Sequence, residues 1–368
     1  MYISKIGIKN FRLLENVDLS LEKRTTVIVG RNNSGKTSLT ELFRRLLTDK
    51  TPNFRLEDFS LSAHEKFWQA YKQLQASEDE NTVRATLPAI EISLSVDYED
   101  NTASYGPLSE FIIDLNTDCT ETLIKVRYEL EKGKLQTLFE EIELNGEGPA
   151  AEQKAAFFKT IKDRVPKLYA ARVYAEDPND ATNQKDLEAS KLHALLHSGF
   201  INAQRGLDDA TRKDGADQKK NNVLGSILEQ LFSTASNSDN AQDQEIITNL
   251  ETAIQGIQQG IDEGFNAQLT DLLPTFSMFG YPGLSDPNLR TETTLDVERL
   301  LKNHTKVHYA GVNGINLPEA YNGLGTRNLI YILLQLLEFY KSFTAKDSTP
   351  GMNLIFIEEP EAHLHPQM

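Results

Sequence analysis

At 368 residues, 39% of them hydrophobic, the chain is long enough for more than one compact unit with a sizeable core. Cys119 is the only cysteine, which excludes an intrachain disulfide and Cys-rich metal sites; no run of 18 apolar residues exists, and MYISKIGIKNFRLLENV lacks a signal-peptide core, so a cytoplasmic location without membrane association is expected. A net charge of −16, from 38 Lys+Arg against 54 Asp+Glu, argues against a free-standing nucleic-acid binder, although a local basic groove is compatible with an acidic total.

Met1 to Phe11 reads as a strand, Ile6 and Ile8 alternating with Lys5, Gly7 and Lys9, and Leu13 to Leu21 as a second strand joined to it. TTVIVGRNNSGKTSL follows over Thr25 to Leu39. In it Val27, Ile28 and Val29 form a strand leading into Gly30 to Thr37, which fits the phosphate-loop pattern G-x-x-x-x-G-K-[ST] without a mismatch. Glycines at both ends let the backbone turn its N–H groups inward. A polyphosphate can then sit among Gly30, Asn32, Asn33, Ser34, Gly35, Lys36, Thr37 and Ser38 at the positive end of the next helix. Lys36 would reach the β- and γ-phosphates, and the Thr37 hydroxyl would hold Mg²⁺. An ordinary Gly-rich strand-to-helix turn is the bland reading, but the four fixed positions match by accident in only roughly 1–2% of chains this long. Gly35 to Leu47 is a helix with Leu39, Leu42, Phe43, Leu46 and Leu47 on one stripe.

Thr48 to Ala89 is mixed and polar, with a short helix at Glu65 to Leu74 carrying the sole Trp68. Ile90 to Tyr98 alternates cleanly, and Ile124, Val126, Tyr128 and Leu130 repeat the pattern, as antiparallel strands of a half-exposed sheet do. Ala155 to Val165 reads as helix, Lys167 to Tyr174 as strand, Glu176 to Asn183 as loop and Asp186 to His197 as helix. Asp208 to Asn222 is a charged, polar connection. Val223, Leu224, Ile227, Leu228 and Leu231 mark an amphipathic helix, Ser233 to Asn240 a polar break, and Ile247, Leu250, Ile254, Ile257 and Ile261 a longer helix. That pair of helices packs on its own domain, or is an insertion that dimerises. Tyr281 to Leu289 is a Pro/Gly loop, strands are expected near Thr293 to Val297 and Lys306 to Ala310, and Leu329 to Phe339 is an apolar helix. No internal repeat is visible.

Leu354 to Ile357 is a continuous apolar run, as in a buried parallel strand, and ends in Glu358 and Glu359. Alone, such a pair is a solvated strand end. Beside a phosphate loop in one sheet, Glu358 would help hold Mg²⁺ and Glu359 would orient and deprotonate the attacking water. Asn322-Gly323-Leu324-Gly325 opens a helix, either as an anion-binding turn or as a plain helix start.

The N-terminal I-x-I-x-N-F-R, the loop G-x-N-N-S-G-K-T, the late glycine turn and E-E-P-E-A-H-L-H-P together resemble the ABC-type ATPases of the SMC, RecF and OLD group. The closest likeness is to OLD-family ATP-dependent endonucleases and related bacterial AAA-ATPases, some of them phage-defence components. It covers roughly residues 1–47, 199–206 and 320–368. The resemblance implies an α/β fold, a P-loop ABC-type ATPase head with a mixed sheet, an antiparallel β-subdomain and a helical insertion. Residues 1–207 would form the N-terminal lobe, 208–275 the insertion, a candidate dimerisation element, and 276–368 the C-terminal lobe. Asn322, Gly323 and Gly325 would belong to the signature turn, which reaches across a dimer to the γ-phosphate held by the opposite subunit; Asn322 stands where many members have serine. Gln204 would be the Q-loop residue contacting Mg²⁺ and the attacking water, Glu361 to His365 the D-loop, and Arg12 a phosphate contact, with an exposed strand-end arginine as its alternative. His363 and His365 lack the further ligands a metal site needs.

OLD relatives continue with a switch histidine and a Toprim nuclease domain, so the chain ending at Met368 is expected to be an N-terminal portion with no assignable nuclease residues. The function implied is the ATP-binding and ATP-hydrolysing head of a DNA-directed repair or anti-phage nuclease system, with Mg·ATP sandwiched between two copies. Its partners would be itself, DNA through regions outside this chain, and a nuclease or defence protein, with no membrane. A nucleotide-binding scaffold of a defence complex with little turnover is the alternative. A P-loop kinase or GTPase is disfavoured by the lack of an N-K-x-D motif and of an acceptor site.

Overall fold

A computed structural model describes residues 1–98, 105–114, 116, 118–142, 150–203, 223–277, 290–305, 307–310, 314–318, 323–344 and 351–362. The chain divides into two units, Met1–Phe200 with Pro350–Phe356, and Ile201–Thr349 with Ile357–Met368.

In the first unit, the alternation of apolar and polar residues builds one antiparallel sheet from β1 (Tyr2–Phe11), β2 (Leu14–Ser20), β3 (Ile90–Asp97), β4 (Glu121–Leu130), β5 (Tyr169–Asp177) and β6 (Asp180–Leu187), ordered β2-β1-β3-β4-β5-β6. Its register lines up Val17, Ile8, Ile92, Val126, Val173 and Leu187 as a single apolar row crossing all six strands. A slip of one residue in any strand would turn its apolar set to the other face, so this row fixes the pairing. The opposite face is a charge ladder. Glu91 is buried there beneath Lys9 and Arg127, whose nitrogens lie 3.1 and 3.0 Å from its carboxylate, and Lys125 pairs with Glu176 at 2.6 Å. Long aliphatic stems cover the carboxylates while their charged ends pair with them.

The helices of this unit are α1 (Lys36–Leu47), α2 (Leu61–Gln75), α3 (Glu80–Thr86), α4 (Leu135–Phe139), α5 (Ala150–Lys162), α6 (Val165–Leu168) and α7 (Ala189–Leu195). They share one core with the sheet's apolar face. At its centre Phe54 meets Tyr128 edge-on at 5.0 Å and Phe59 meets Phe67 at 5.2 Å. Trp68 on α2 packs edge-on against Phe157 on α5 at 5.1 Å.

β7 (Leu196–Ile201) starts directly after α7 and pairs outside this sheet, so the expected helix from Asp186 to His197 is in fact the end of a strand, two turns of helix and the start of another strand. The expected loop at Glu176 to Asn183 is a hairpin. Its Asx turn hydrogen-bonds the Asn179 amide to Asp177 Oδ1 at 2.9 Å, and β6 is an exposed polar edge strand whose composition hides it. Residues 21–30, with Val27 to Val29, form no strand, and Val27 and Val29 are 79% and 88% exposed. β-propensity describes fit to a paired surface, and no ladder partner for this segment occurs among the described residues.

The second unit contains α8 (Val223–Ser236), α9 (Ala241–Ser277), the short α10 (Val297–Arg299), a hairpin of β8 (His308–Ala310) and β9 (Asn316–Pro318), and α11 (Leu324–Thr344). α9 has 37 residues and is therefore about 55 Å long. Lys341 on α11 reaches Asp243 on α9 at 2.6 Å, and Lys302 reaches Glu229 on α8 at 2.8 Å. The expected strand at Thr293 to Val297 does not form. The chain there lies extended along α9, and side chains of that helix satisfy its backbone: Thr291 N donates to Asn266 Oδ1 at 2.8 Å, Thr293 N to Asp262 Oδ1 at 2.6 Å, and Gln258 Nε2 to Thr293 O at 3.0 Å. The stretches Asp208 to Asn222 and Tyr281 to Leu289 lie outside the described residues.

β10 (Met352–Ile357) pairs with β7. Met352, Leu354 and Phe356 join the first unit's core while Ile355 and Ile357 are exposed, so the strand is half-buried where burial on both faces was expected. No described helix is long and apolar enough to cross a membrane.

Candidate functional site

α1 begins at Lys36 because Gly35 ends the preceding loop in the left-handed region, φ 93°, with Leu39 N closing the first turn onto Gly35 O at 2.9 Å. At Gly35 the positive φ strains any side chain, and a Cβ there would stand 2.9 Å from Leu14 Cδ2. At Gly30 a Cβ would stand 2.6 Å from the Ser34 hydroxyl. Asn33 is also left-handed at φ 62°, and Ser34 N donates to Arg31 O at 3.2 Å, so the loop curls on itself. Lys36 Nζ spans this curl, donating to Gly30 O at 2.5 Å and Arg31 O at 2.8 Å. Asn32 and Thr37 are exposed at its mouth, Ser38 is half-buried, and α1 carries no acidic residue in its first turn. The residues present fit a polyphosphate: a cradle a Cβ would fill, an uncapped helix N-terminus and a cation folded over both.

Arg12, a candidate phosphate ligand, is placed on Asp58. Its Nε and Nη2 donate to Asp58 Oδ1 at 2.9 and 2.7 Å, and it holds φ 47° at the end of β1. Arg45 Nη1 and the Arg55 amide donate to Asp58 Oδ2 at 3.0 and 3.1 Å. Burial opposes ionisation of Asp58, but the Arg12 and Arg55 hydrogen bonds and the Arg12 and Arg45 charges outweigh it and hold the carboxyl below its ordinary value. Asp58→Asn is expected to cost about 1.5–3 kcal/mol, the range for hydrogen bonds to charged groups, read as a lowered denaturant midpoint. Because the folded value lies below the unfolded one, this stabilisation is present above about pH 4 and lost as the pH falls through the folded value. A wild-type midpoint for Asp58→Asn at pH 7 would contradict it.

The paired carboxylates follow β10 in the second unit. Glu358 N donates to Ile201 O at 2.9 Å and Glu358 Oε2 accepts from Ala203 N at 3.3 Å, which anchors that side chain. Glu359 is exposed, in the left-handed region at φ 44°, and its carbonyl accepts from Ala362 N at 3.0 Å. The same turn meets α11: Asn328 Nδ2 donates to Ala362 O at 2.7 Å. α11 starts at Leu324, with Gly323 exposed before it, Gly325 half-buried in its first turn and Arg327 N closing onto Gly323 O at 3.2 Å. The structure thus brings the glycine turn's helix and the Glu358–Glu359 turn together. Gln204, Asn322, His363 and His365 lie outside the described residues, and among the described residues no group of three or more His, Cys, Asp or Glu could hold a metal. Asn328, Asp58 and Ala203 are contributors that pattern reading missed. Only Asn328 left a signal, as a poor helix former opening an apolar helix.

The AAA ATPase domain family model matches residues 1–368. Endonuclease GajA of Bacillus cereus (strain HuB5-5) is 23% identical over 395 residues, covering 100% of this chain and 53% of GajA, so the chain spans about half the length of that relative. DNA replication and repair protein RecF of Actinobacillus pleuropneumoniae serotype 5b (strain L20) is 38% identical over 72 residues, 17% of this chain and 20% of RecF. A solved structure described under ATP-driven dimerization and DNA stimulated activation of SMC ATPases aligns with 52% of this chain and 76% of that one, at 15% identity and a TM-score of 0.25, too loosely to bear on the fold.

Proposed function

The chain belongs to the AAA ATPase domain family, and from that premise we propose that it is the ATP-binding and ATP-hydrolysing head of a DNA-directed nuclease system, acting in repair or anti-phage defence, with ATP shared between two copies. The observation that carries the hydrolytic part is the packing of Phe356 on Phe43, ring centroids 4.6 Å apart and tilted by 32°. Phe43 on the helix that opens with the phosphate loop and Phe356 on β10 thereby pack together within the first unit. The names endonuclease GajA and DNA replication and repair protein RecF support DNA as the ultimate object of the cycle.

In this reading the loop amides and Lys36 hold the triphosphate, and the Thr37 hydroxyl and Glu358 carboxylate are the oxygen donors for Mg²⁺. When bound, that ion would neutralise charge on the phosphate oxygens. Glu359 orients a water and takes its proton as the water oxygen bonds to the γ-phosphorus and the bond to the bridging oxygen breaks. Gln204 would contact the same ion and water. The start of α11, with Asn322, Gly323 and Gly325, would offer its free N–H groups to the γ-phosphate on the second copy. α9 would contribute to self-association through the exposed Ile246, Leu250 and Ile257. Arg12, committed to Asp58, would support the loop's surroundings rather than a phosphate.

A site completed by a second copy makes turnover second order in protein at low concentration. The rate per chain is expected to rise with chain concentration and then level off, in phosphate-release assays spanning the self-association midpoint. A rate per chain independent of concentration while the protein sediments as a monomer would remove the shared-site reading.

A further inference from the structure

A glutamate in the left-handed region is unfavourable unless its surroundings hold it there, and Glu359 sits at φ 44° at the head of an exposed turn. Two hydrogen bonds close that turn. Ala362 N donates to Glu359 O at 3.0 Å, and Ala362 O in turn accepts from Asn328 Nδ2 at 2.7 Å. Asn328 is 1% exposed on α11, four residues after its first residue Leu324, where asparagine has little helix propensity to recommend it. A buried amide in such a place is retained for the hydrogen bonds it makes.

We infer that Asn328 is a positioning residue: it clamps the turn 359–362 onto α11 and thereby sets the backbone from which the Glu359 carboxylate projects. A shift of the glycine-led helix start is passed through this amide to the general base. The inference rests on the reading of Glu359 as that base. It goes beyond it by making the proton acceptor's placement depend on α11.

Asn328→Asp is the test, because it keeps size and shape while exchanging the donor for an acceptor facing a carbonyl oxygen. The full chain is assayed for steady-state turnover of Mg·ATP, for thermal unfolding and for amide hydrogen exchange at Ala362. The expected result is a fall in kcat of roughly tenfold to hundredfold, as for a slightly misplaced catalytic group, with KM for ATP close to wild type and a melting temperature lowered only by the carboxyl buried on α11. Exchange at Ala362 should be faster, and by the same factor when Asn328→Asp is placed in a Glu359→Gln background. Wild-type kcat with unchanged exchange overturns the inference, and so does a KM for ATP that moves with kcat, which a merely structural role would produce. If Asn328→Asp does not fold, Asn328→Ser, whose donor falls short of Ala362 O, is judged by the same criteria. Should Glu359→Gln keep the wild-type rate, the general-base reading fails, while the exchange at Ala362 still decides whether Asn328 holds the turn.

Discussion

Lys36→Ala is expected to abolish ATP binding at concentrations that saturate the wild type, with affinity falling about a hundredfold or more, and turnover is expected to disappear with it. The reason lies in what Lys36 does in the structure. Its ammonium is held over the curled loop by two neutral carbonyls, Gly30 O and Arg31 O. Those contacts fix the position of the charge without neutralising it, so a polyphosphate meets a cation already placed at the mouth of the cradle. Removing the side chain leaves only amide dipoles to face several negative charges. Lys36→Arg is not a substitute, because a planar fork cannot deliver a compact charge across the same curl. Neither change should lower the melting temperature much, since the two hydrogen bonds lost are exposed. Equilibrium binding of a fluorescent ATP analogue with Mg²⁺ decides the matter, and wild-type affinity in folded Lys36→Ala would discredit the phosphate-loop assignment.

Where sequence and structure agree, the sequence carried its own physical reason. Ile8, Ile92 and Val126 alternate with polar residues because each lies in a row with one wet face, so β1, β3 and β4 were legible without any knowledge of their partners. α1 was legible from its stripe of Leu39, Leu42, Phe43 and Leu46, all buried as expected. The failures have the opposite cause. β6 is exposed at nearly every position, so no burial pattern marks it. Val27 to Val29 have high β-propensity but no ladder among the described residues, and propensity does not supply a neighbour. The stretch from Thr291 to Thr293 looks like a strand and is extended, yet helix side chains take the place of a ladder.

The site divides along the same line. The phosphate loop is local: Gly30, Gly35, Lys36 and Thr37 lie within eight residues, and the reason for glycine at position 35 is a positive φ and a close leucine. Such constraints act on neighbouring residues and leave a spaced pattern. Glu358 and Glu359 were legible as carboxylates closing an apolar strand. What was not legible is how they are held, because Ala203 N reaches Glu358, and Asn328 Nδ2 reaches Ala362 O in the turn that follows, from distant parts of the chain. Arg12 shows the converse. Its position after β1 suggested a phosphate ligand, while the buried Asp58 that engages it stands 46 residues away with nothing in its neighbourhood to announce the pairing.

Glu359→Gln is expected to reduce ATP turnover by about a thousandfold or more while leaving ATP binding intact, since a positioned general base contributes on the order of 10²–10⁴ and the amide cannot accept the proton. The substitution preserves size and hydrogen-bonding reach, and Glu359 is exposed, so the turn closed by Ala362 and Asn328 should survive it. Glu358→Gln should behave differently. Glu358 is anchored to Ala203 N and is the proposed oxygen donor to Mg²⁺, so its loss should raise the Mg²⁺ concentration needed for half-maximal rate. If ATP is bound and not consumed in Glu359→Gln, two copies that share the nucleotide should stay associated for longer, and ATP should raise the sedimentation coefficient of this variant more than that of the wild type. A scaffold that uses ATP only to hold an assembly together predicts something else: a low rate to begin with, which Glu359→Gln leaves where it was. Single-turnover phosphate release measured beside equilibrium ATP binding separates the two, because an enzyme loses the first and keeps the second, whereas a scaffold changes in neither.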